Sequence, residues 1–380
     1  MAADLPPLAR PGFRELEPYE PIDPPEVLAR ELGLPAERIV KLDGNENPYG
    51  PSPLVGEALA RLDRYHLYPD PLQRELRDAL ARHLGLGAEH IVCGSGSDEL
   101  LDVLGRLFLG PGEAVVISPP TFGMYTFVAA LCGARVVEVP RRPDLSLDVE
   151  AVAAALRDGA RLCFLASPNN PTGELTPREA VEALLATGAL VVVDEAYMEF
   201  AEGGWPGGHL SVRHLVREHA NLVVLRTFSK WAGLAGLRVG YGLFPRELAE
   251  LVLKVKMPYN VNVAAQAAAL ASLADLERLN ARLRSLVAER ERLLASLEGL
   301  GWLRPYPSQA NFVLCRVEGL EAARVWQELR HRGILVRRYS HPTLREYLRV
   351  SVGRPEENDR LLAALREIGE ALRPGPRPGR

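Results

Sequence analysis

Short runs of β-branched and aliphatic residues alternate with amphipathic helical patterns through the middle of this 380-residue chain. The strand candidates are Ile91–Cys93, Ala114–Ser118, Arg135–Val139, Arg161–Ala166, Leu190–Asp194, Leu222–Leu225 and Val239–Phe244. The helical patterns between them include Asp98–Leu109, Val149–Arg157 and Pro177–Ala186. Such alternation favours right-handed crossovers and a mainly parallel sheet, in which ligands bind beyond the carboxyl ends of the strands. We therefore predict a large α/β domain whose functional residues directly follow its strands.

The pattern changes near Asn262, and a chain of this length is expected to form two domains. The later elements are predicted as a helical region Ala264–Leu300, a strand Asn311–Val317, a helix Leu320–Arg332, strands Ile334–Arg337 and Tyr347–Val352, and a helix Pro355–Leu372. They indicate a smaller α+β domain. The predicted division is an N-terminal arm that belongs partly to the small domain (1–45), a large cofactor-binding domain (46–262), a small domain (263–372) and a disordered tail (373–380).

Composition and charge argue against several classes of function. The formal net charge is −4, which does not favour nucleic acid or an anionic membrane as a partner. Neither a secretory leader nor an apolar run long enough to span a bilayer is recognisable, so we expect a cytoplasmic protein. Cys93, Cys163 and Cys315 lie in strand-like apolar runs and are expected to be buried hydrophobic residues.

Lysine is rare in this chain, and one lysine stands at the end of a predicted strand. Lys41, Lys230, Lys254 and Lys256 are four of the 45 basic residues. Lys230 follows Thr227 and Ser229, directly after the run Leu222–Leu225. Arginine keeps its charge in proteins, whereas lysine can lose its proton and form a Schiff base. An exposed lysine after a strand is the ordinary interpretation of such a residue, but these neighbours favour a covalently held aldehyde cofactor.

Two segments could bind a phosphate. Thr227 and Ser229 are two residues apart and would face the same side of an extended segment, where Arg238 could add a charged fork. The backbone amides of Ser97 and Asp98 lie where a strand passes into a helix, a position that favours anions. The surrounding segment imitates part of a dinucleotide-binding fingerprint. Its third glycine position is Glu99, however, so NAD is not favoured.

Four further residues could contact a flat aromatic cofactor. Asp194 ends a strand candidate and could hold a pyridinium nitrogen protonated, although a turn aspartate is more common. Tyr197 and Asn170 could donate to a ring oxygen, and Phe122 could stack on the ring. Each of these three has an ordinary structural interpretation as well, in packing or in a turn.

The sequence does not favour a metal site. It contains no HExxH segment, no GxSxG segment and no Walker A loop. His209, His214 and His219 recur at regular spacing, but no cysteine or paired carboxylate nearby completes a ligand set. We interpret them as one solvated helical face.

Taken together, several segments resemble the fold-type I pyridoxal-phosphate enzymes of the class I/II aminotransferase family. The resemblance rests on Asn45–Tyr49, Gly94–Glu99, Ser167–Gly173, Asp194–Tyr197, Ser229–Lys230 and Arg349. It implies a three-layer large domain with a mainly parallel sheet and a smaller α+β C-terminal domain. Further segments resemble those family members that act on histidinol phosphate: Leu42–Gly50, Arg64–Pro69, Phe228–Arg238, Gly333–Arg337 and Tyr347–Gly353.

The resemblance also implies roles for individual residues. Lys230 would carry pyridoxal 5'-phosphate and move the substrate proton, and Asp194 would pair with the ring nitrogen. Asn170 and Tyr197 would bond the ring oxygen, and Phe122 takes the place of the family's usual stacking tyrosine. The cofactor phosphate would be held by Ser97, Asp98, Thr227, Ser229, Arg238 and, from the partner subunit of a homodimer, Tyr68.

The implied reaction exchanges an amino group between glutamate and 2-oxoglutarate in one half and between imidazole-acetol phosphate and histidinol phosphate in the other. Arg349 would hold the substrate carboxylate or phosphate, with Arg337, Tyr19 and Asn170 also at the substrate. Three alternatives stay open: an aromatic or broad-specificity aminotransferase, a threonine-phosphate decarboxylase on the same scaffold, and a cofactor-binding regulatory module.

Overall fold

The computed structural model describes Leu16 and residues 22–372. Tyr19 and the tail predicted to be disordered lie outside the described residues. The strands are β1 (Val40–Leu42), β2 (Ile91–Gly94), β3 (Ala114–Ile117), β4 (Arg135–Glu138), β5 (Leu162–Ala166), β6 (Leu190–Asp194), β7 (Leu222–Thr227), β8 (Gly240–Leu243), β9 (Leu303–Pro305), β10 (Phe312–Val317), β11 (Ile334–Arg338) and β12 (Tyr347–Ser351). The α-helices are α1 (Pro25–Leu32), α2 (Pro53–Ala60), α3 (Arg74–Leu84), α4 (Gly96–Phe108), α5 (Met124–Cys132), α6 (Val149–Arg157), α7 (Arg178–Leu185), α8 (Met198–Glu202), α9 (Arg246–Val255), α10 (Val263–Ala274), α11 (Leu276–Glu298), α12 (Ala322–His331) and α13 (Pro355–Leu372).

Strands β2 to β8 form a seven-stranded sheet in the order β2-β8-β7-β6-β5-β3-β4. Neighbours from β4 to β7 pair in parallel, and β8 pairs antiparallel with both β7 and β2. The predicted mainly parallel sheet is therefore confirmed. All seven strand candidates correspond to strands of this sheet, with ends that differ by at most two residues.

Both faces of the large sheet are covered, which gives the predicted three layers. Along β6, Val191 and Val193 pack into one apolar cluster, whereas Leu190 and Val192 pack into another on the opposite face. Alternation of this kind follows from the two-residue period of a strand. Cys93, Cys163 and Cys315 are buried, as expected.

A second sheet of five strands has the order β1-β11-β12-β10-β9. Strand β1 pairs in parallel with β11, so the segment near Val40 joins the sheet built by the C-terminal part of the chain.

The predicted helical region Ala264–Leu300 forms two helices, α10 and α11, which are separated at Asp275. Ala265 and Ala268 of α10 pack in the core of the large sheet, although they follow the predicted boundary at residue 263. The division of the chain into domains stays a prediction. Among the described residues, no helix is long and apolar enough to cross a membrane.

A buried ion network ties β7 to the segment that follows β6. Arg226 donates to Glu195 through Nε at 2.9 Å and Nη2 at 2.7 Å, and to Glu199 through Nη1 at 3.0 Å. All three residues are fully buried. One cation thus faces two carboxyl groups in a place where an unpaired charge would be costly to bury, and burial raises the pKa of Glu199 to about 7.

We predict that Arg226→Ala lowers the free energy of unfolding by about 3–5 kcal/mol, because two carboxyl groups then lose a buried partner. Arg246→Ala, which breaks an exposed pair with Glu250, is the matched control and should cost far less. Denaturant and thermal unfolding of both variants measure the difference. Equal losses in the two variants would contradict a structural role for the network.

Candidate active site

A cavity of about 250 Å³ lies at the carboxyl edge of the large sheet. The chain comes to this edge after β2, β5, β6 and β7, because the ends of parallel strands meet there. Ten residues singled out from the sequence line the cavity: Ser97, Asp98, Phe122, Asn170, Asp194, Tyr197, Thr227, Ser229, Lys230 and Arg238. Their individual roles stay predictions, but the tertiary fold brings them together.

One end of the cavity is rich in hydrogen-bond donors. Helix α4 begins there with Gly96, and its first amides are oriented as in other anion-binding helix starts. Thr227 Oγ1 lies 2.9 Å from Ser229 Oγ, so the two hydroxyls face one another. Arg238 Nη2 donates to Asp98 Oδ2 at 2.6 Å. Gly96 has a left-handed backbone with φ 74°, which favours glycine, and a Cβ atom added there would also displace the end of the Arg238 side chain.

Lys230 extends into the middle of the cavity. Its Nζ donates to the backbone oxygen of Gly44 at 3.1 Å. Burial and, to a smaller extent, the charge of Arg349 lower the pKa of the amine to about 8. A neutral amine is the form that attacks an aldehyde or accepts a proton, so this environment favours the chemistry expected of Lys230.

Asp194 is a buried carboxylate at the end of β6. Its Oδ2 accepts from the Tyr125 hydroxyl at 3.0 Å, and its Oδ1 accepts from the backbone amide of Ala196 at 3.1 Å. Burial raises the pKa of Asp194 to about 6, against the effect of the Tyr125 hydrogen bond. Among the residues that the structure describes, no cationic side chain forms an ion pair with it. A protonated ring nitrogen would supply that charge.

Tyr197 and Asn170 line the same cavity as Lys230, and each contacts a residue from another part of the chain. The Tyr197 hydroxyl accepts from Asn45 Nδ2 at 3.1 Å, and burial raises the pKa of this tyrosine to about 12. Its hydroxyl therefore stays protonated and can donate. Asn170 Oδ1 accepts from Arg349 Nη1 at 2.7 Å, which leaves the Asn170 amide group as the donor.

Arg349, on β12, is a buried guanidinium with only backbone and amide acceptors. Its Nη2 donates to the Asp43 carbonyl at 2.5 Å, its Nε has no partner, and the group lies 5.3 Å from the Phe312 ring centroid. It is 5% exposed, yet no carboxylate in the described part of the chain pairs with it. Such a cation favours an anionic ligand.

Arg337 and Arg349 line an adjoining cavity of about 350 Å³. Phe122 and Asn170 line both cavities, so the two spaces adjoin at these side chains. The sequence placed Arg337 and Arg349 at a substrate, and the structure places them beside the lysine cavity. Tyr19, expected at the same place, lies outside the described residues.

Tyr68 does not line the cavity of its own chain. It is 81% exposed and stacks on Tyr259, with ring centroids 4.5 Å apart. Leu67 and Met257 nearby are also exposed, so the surface carries an apolar patch. This position is compatible with the expectation that Tyr68 acts on a partner subunit.

Sequence reasoning missed two residues at this site. Tyr125, which contacts Asp194, lies three residues after Phe122 at the start of α5, where a tyrosine carries no signal of its own. Asn45 lies in a noted segment without an assigned role, and it contacts Tyr197 across 152 positions. Its left-handed backbone, with φ 52°, is the kind of constraint that is common at functional sites.

The residues present fit a phosphorylated aromatic aldehyde. Hydroxyls, helix amides and Arg238 at one end suit a phosphate, a lysine of lowered pKa suits the aldehyde, and Asp194 without a cation suits a protonated ring nitrogen. This arrangement is the one expected of a transferase that holds such a cofactor on a lysine. Residues 37–365 match the family described as aminotransferase class I and II, and the chain belongs to this family.

Relatives within the family are similar over nearly their full length. The chain is 52% identical to a histidinol-phosphate aminotransferase of Roseiflexus castenholzii over 97% of this chain and 100% of that protein. It is 48% identical to the chloroplastic histidinol-phosphate aminotransferase of Nicotiana tabacum over 94% of this chain and 86% of that one. Among solved structures it is similar to histidinol-phosphate aminotransferase of Sinorhizobium meliloti in complex with pyridoxal-5'-phosphate. That match has a TM-score of 0.86 and 32% identity over 97% of this chain and 100% of the other.

The lowered pKa of Lys230 predicts how its amine reacts with pH. In protein freed of cofactor, modification of Lys230 by an amine-reactive reagent should rise with a midpoint near pH 8 rather than the ordinary value of about 10.4. Arg349→Met removes a neighbouring positive charge and should move the midpoint upward. Peptide mass spectrometry gives the extent of modification, with the exposed Lys254 as an internal reference for the reagent. A wild-type midpoint at the ordinary lysine value would contradict the inferred environment.

Proposed function

We propose that this chain transfers an amino group between histidinol phosphate and 2-oxoglutarate, as a pyridoxal-phosphate-dependent enzyme of histidine biosynthesis. The observation that carries the proposal is the buried Arg349, a cation without a carboxylate partner among the described residues, beside a lysine of lowered pKa. The lysine supplies the chemistry of the aminotransferase family. The guanidinium requires an anion, which glutamate provides as a carboxylate and histidinol phosphate as a phosphate.

The relatives support this choice of substrate within the family. Two relatives at 52% and 48% identity carry the name histidinol-phosphate aminotransferase, and the first is covered along its whole length. The alternatives of an aromatic aminotransferase or a threonine-phosphate decarboxylase also use anionic amino substrates. Arg349 thus carries the assignment to an anionic amino substrate, and the similarity to these relatives favours histidinol phosphate among such substrates. The substrate test below decides among them.

When bound, pyridoxal phosphate supplies an aldehyde that takes up the amino group and a ring that withdraws electrons from the substrate. The residues that would hold its phosphate are Ser97, Asp98, Thr227, Ser229 and Arg238, with the partner's Tyr68. Asp194 would hold a proton on the ring nitrogen, Asn170 and Tyr197 would donate to the ring oxygen, and Phe122 would orient the ring by stacking.

Lys230 would move the proton of the substrate α-carbon. A base for this step must lie within reach of that carbon and must have a pKa near the working pH. Lys230 lines the same cavity as Asp194, and burial lowers its pKa to about 8. Its amine can thus accept a proton on one side of the reaction and return it on the other.

Arg349 would orient both substrates in turn. Its Nη1 is held by Asn170 and its Nη2 by the Asp43 carbonyl, so the plane of the guanidinium is set before a substrate enters. Arg337 lies further out, along the adjoining cavity. We propose that it contacts the phosphate of histidinol phosphate, together with Tyr19.

We also propose a homodimer that acts in the cytoplasm. A dimer is supported by the exposed patch of Tyr65, Leu67, Tyr68, Met257 and Tyr259. A monomeric molecule seldom exposes several large apolar side chains together. Sedimentation of the purified protein measures whether it is a dimer.

Amino-donor specificity tests the proposed function directly. Purified protein loaded with pyridoxal phosphate is mixed separately with histidinol phosphate, glutamate, tyrosine and threonine phosphate, and the visible absorbance of the cofactor joined to Lys230 is followed. We expect histidinol phosphate and glutamate to remove it fastest. Lys230→Ala should lack both the absorbance and nearly all turnover, whereas Lys254→Ala, which alters an exposed lysine on α9, should retain both. Faster reaction with tyrosine, or release of carbon dioxide from threonine phosphate, would replace the proposal with one of its alternatives.

Arg337 should distinguish the two substrates of the cycle. We predict that Arg337→Gln raises the KM for histidinol phosphate by about ten-fold or more and leaves the glutamate half-reaction within about two-fold, because only the longer substrate reaches it. Arg338→Gln, at the adjacent position on β11, is the matched control. Equal effects on both substrates would assign Arg337 a structural role.

A further inference from the structure

We propose that Tyr125 is a positioning residue that orients and ionises the Asp194 carboxylate for its pairing with the cofactor ring nitrogen. This inference rests on the proposed function, because it concerns the same cavity. Tyr125 is not among the residues that the sequence singled out, and it would act on the ring only through Asp194.

The ring of Tyr125 is held on two sides. It is fully buried near the start of α5 and stacks on Phe164 of β5, with centroids 5.1 Å apart and planes at 13°. Phe122 meets it edge to face, with centroids 5.6 Å apart and planes at 88°. Aromatic contacts of both kinds are favourable and restrict rotation of the ring. The hydroxyl of Tyr125 therefore has a defined place beside β6.

Two donors fix the carboxylate of Asp194, one on each oxygen. The Tyr125 hydroxyl donates to Oδ2 at 3.0 Å and the Ala196 amide donates to Oδ1 at 3.1 Å. An ionised carboxylate has about four acceptor positions, so acceptor capacity remains for a ligand. With both oxygens held, the plane of the group is set before the cofactor binds.

Apart from the hydrogen bonds from Tyr125 and the Ala196 amide, the surroundings of Asp194 oppose its negative charge. Burial acts in this direction, as do the carboxylates of Asp98 at the start of α4 and of Glu195 next along the chain. The other titratable group facing it is Tyr197. The hydrogen bond from Tyr125 favours the charged form. Since burial raises the pKa of Tyr125 well above its usual range, this hydroxyl keeps its proton and remains a donor.

A chemical consequence follows for the ring nitrogen. An ionised, oriented carboxylate stabilises a protonated nitrogen, whereas a neutral or rotated carboxyl group does so less well. Loss of the Tyr125 hydroxyl should therefore weaken recognition of that nitrogen in particular. Other contacts of the cofactor, such as those at its phosphate, should change little.

The test compares two ligands of protein freed of cofactor: pyridoxal phosphate and its 1-deaza analogue, in which carbon replaces the ring nitrogen. Wild-type protein should bind pyridoxal phosphate more tightly, and the ratio of the two Kd values measures recognition of the nitrogen. We expect Tyr125→Phe to reduce that ratio by about ten-fold, the effect of one hydrogen bond to a charged group. Tyr241→Phe, which removes a hydroxyl from another fully buried tyrosine, should leave it unchanged.

A double-mutant cycle separates positioning from packing. In the background of Asp194→Asn, the further change Tyr125→Phe should have no effect on the ratio if Tyr125 acts through the carboxylate. An equal loss of affinity for both ligands in Tyr125→Phe, with an unchanged ratio, would overturn the inference and leave the proposed function intact. A wild-type protein that binds neither ligand would overturn both.

Discussion

The site depends on the register of three parallel strands. In that register Ala166 of β5 is level with Asp194 of β6, which is level with Leu225 of β7. The chain thus leaves the sheet beside one cavity after each strand. A shift of one residue would turn the side chain of Asp194 to the opposite face of the sheet, because successive side chains alternate. Burial of both sheet faces prevents such a shift, since it would move every apolar side chain of the strand.

Buried charges occur here in two arrangements with different consequences. Arg226 pairs with Glu195 and Glu199, none of which lines the cavity, so this network serves the fold. Within the cavity, Asp194 has no cation and Arg349 has no carboxylate among the described residues. Because an isolated charge is costly to bury, such groups favour ligands of opposite charge. A ligand that supplies the missing counter-charges would offset the cost of burying Asp194 and Arg349, and this would strengthen its binding.

Much of the fold could be predicted from the sequence, since fully buried strands are continuous apolar runs. The exceptions have physical causes. Strand β7 continues through Arg226 and Thr227, beyond the predicted end at Leu225, and the Arg226 charge is paired with carboxylates that are distant in the sequence. The helical region after Asn262 breaks at Asp275, although its apolar pattern continues on both sides. A local apolar pattern shows neither a distant ion-pair partner nor the point at which a helix changes direction.

For the site, the sequence by itself determined which residue types follow which strands. Lys230, Asp194 and Asn170 could be proposed because parallel strands end at one edge, so each position was readable from its own neighbourhood. Only the tertiary structure decided what those groups meet. Tyr125 reaches Asp194, Asn45 reaches Tyr197 and Arg349 reaches Asn170 across 69, 152 and 179 positions. Such contacts depend on how helices and sheets pack against one another. This packing, rather than the local sequence, sets the orientation, burial and charge state of the side chains.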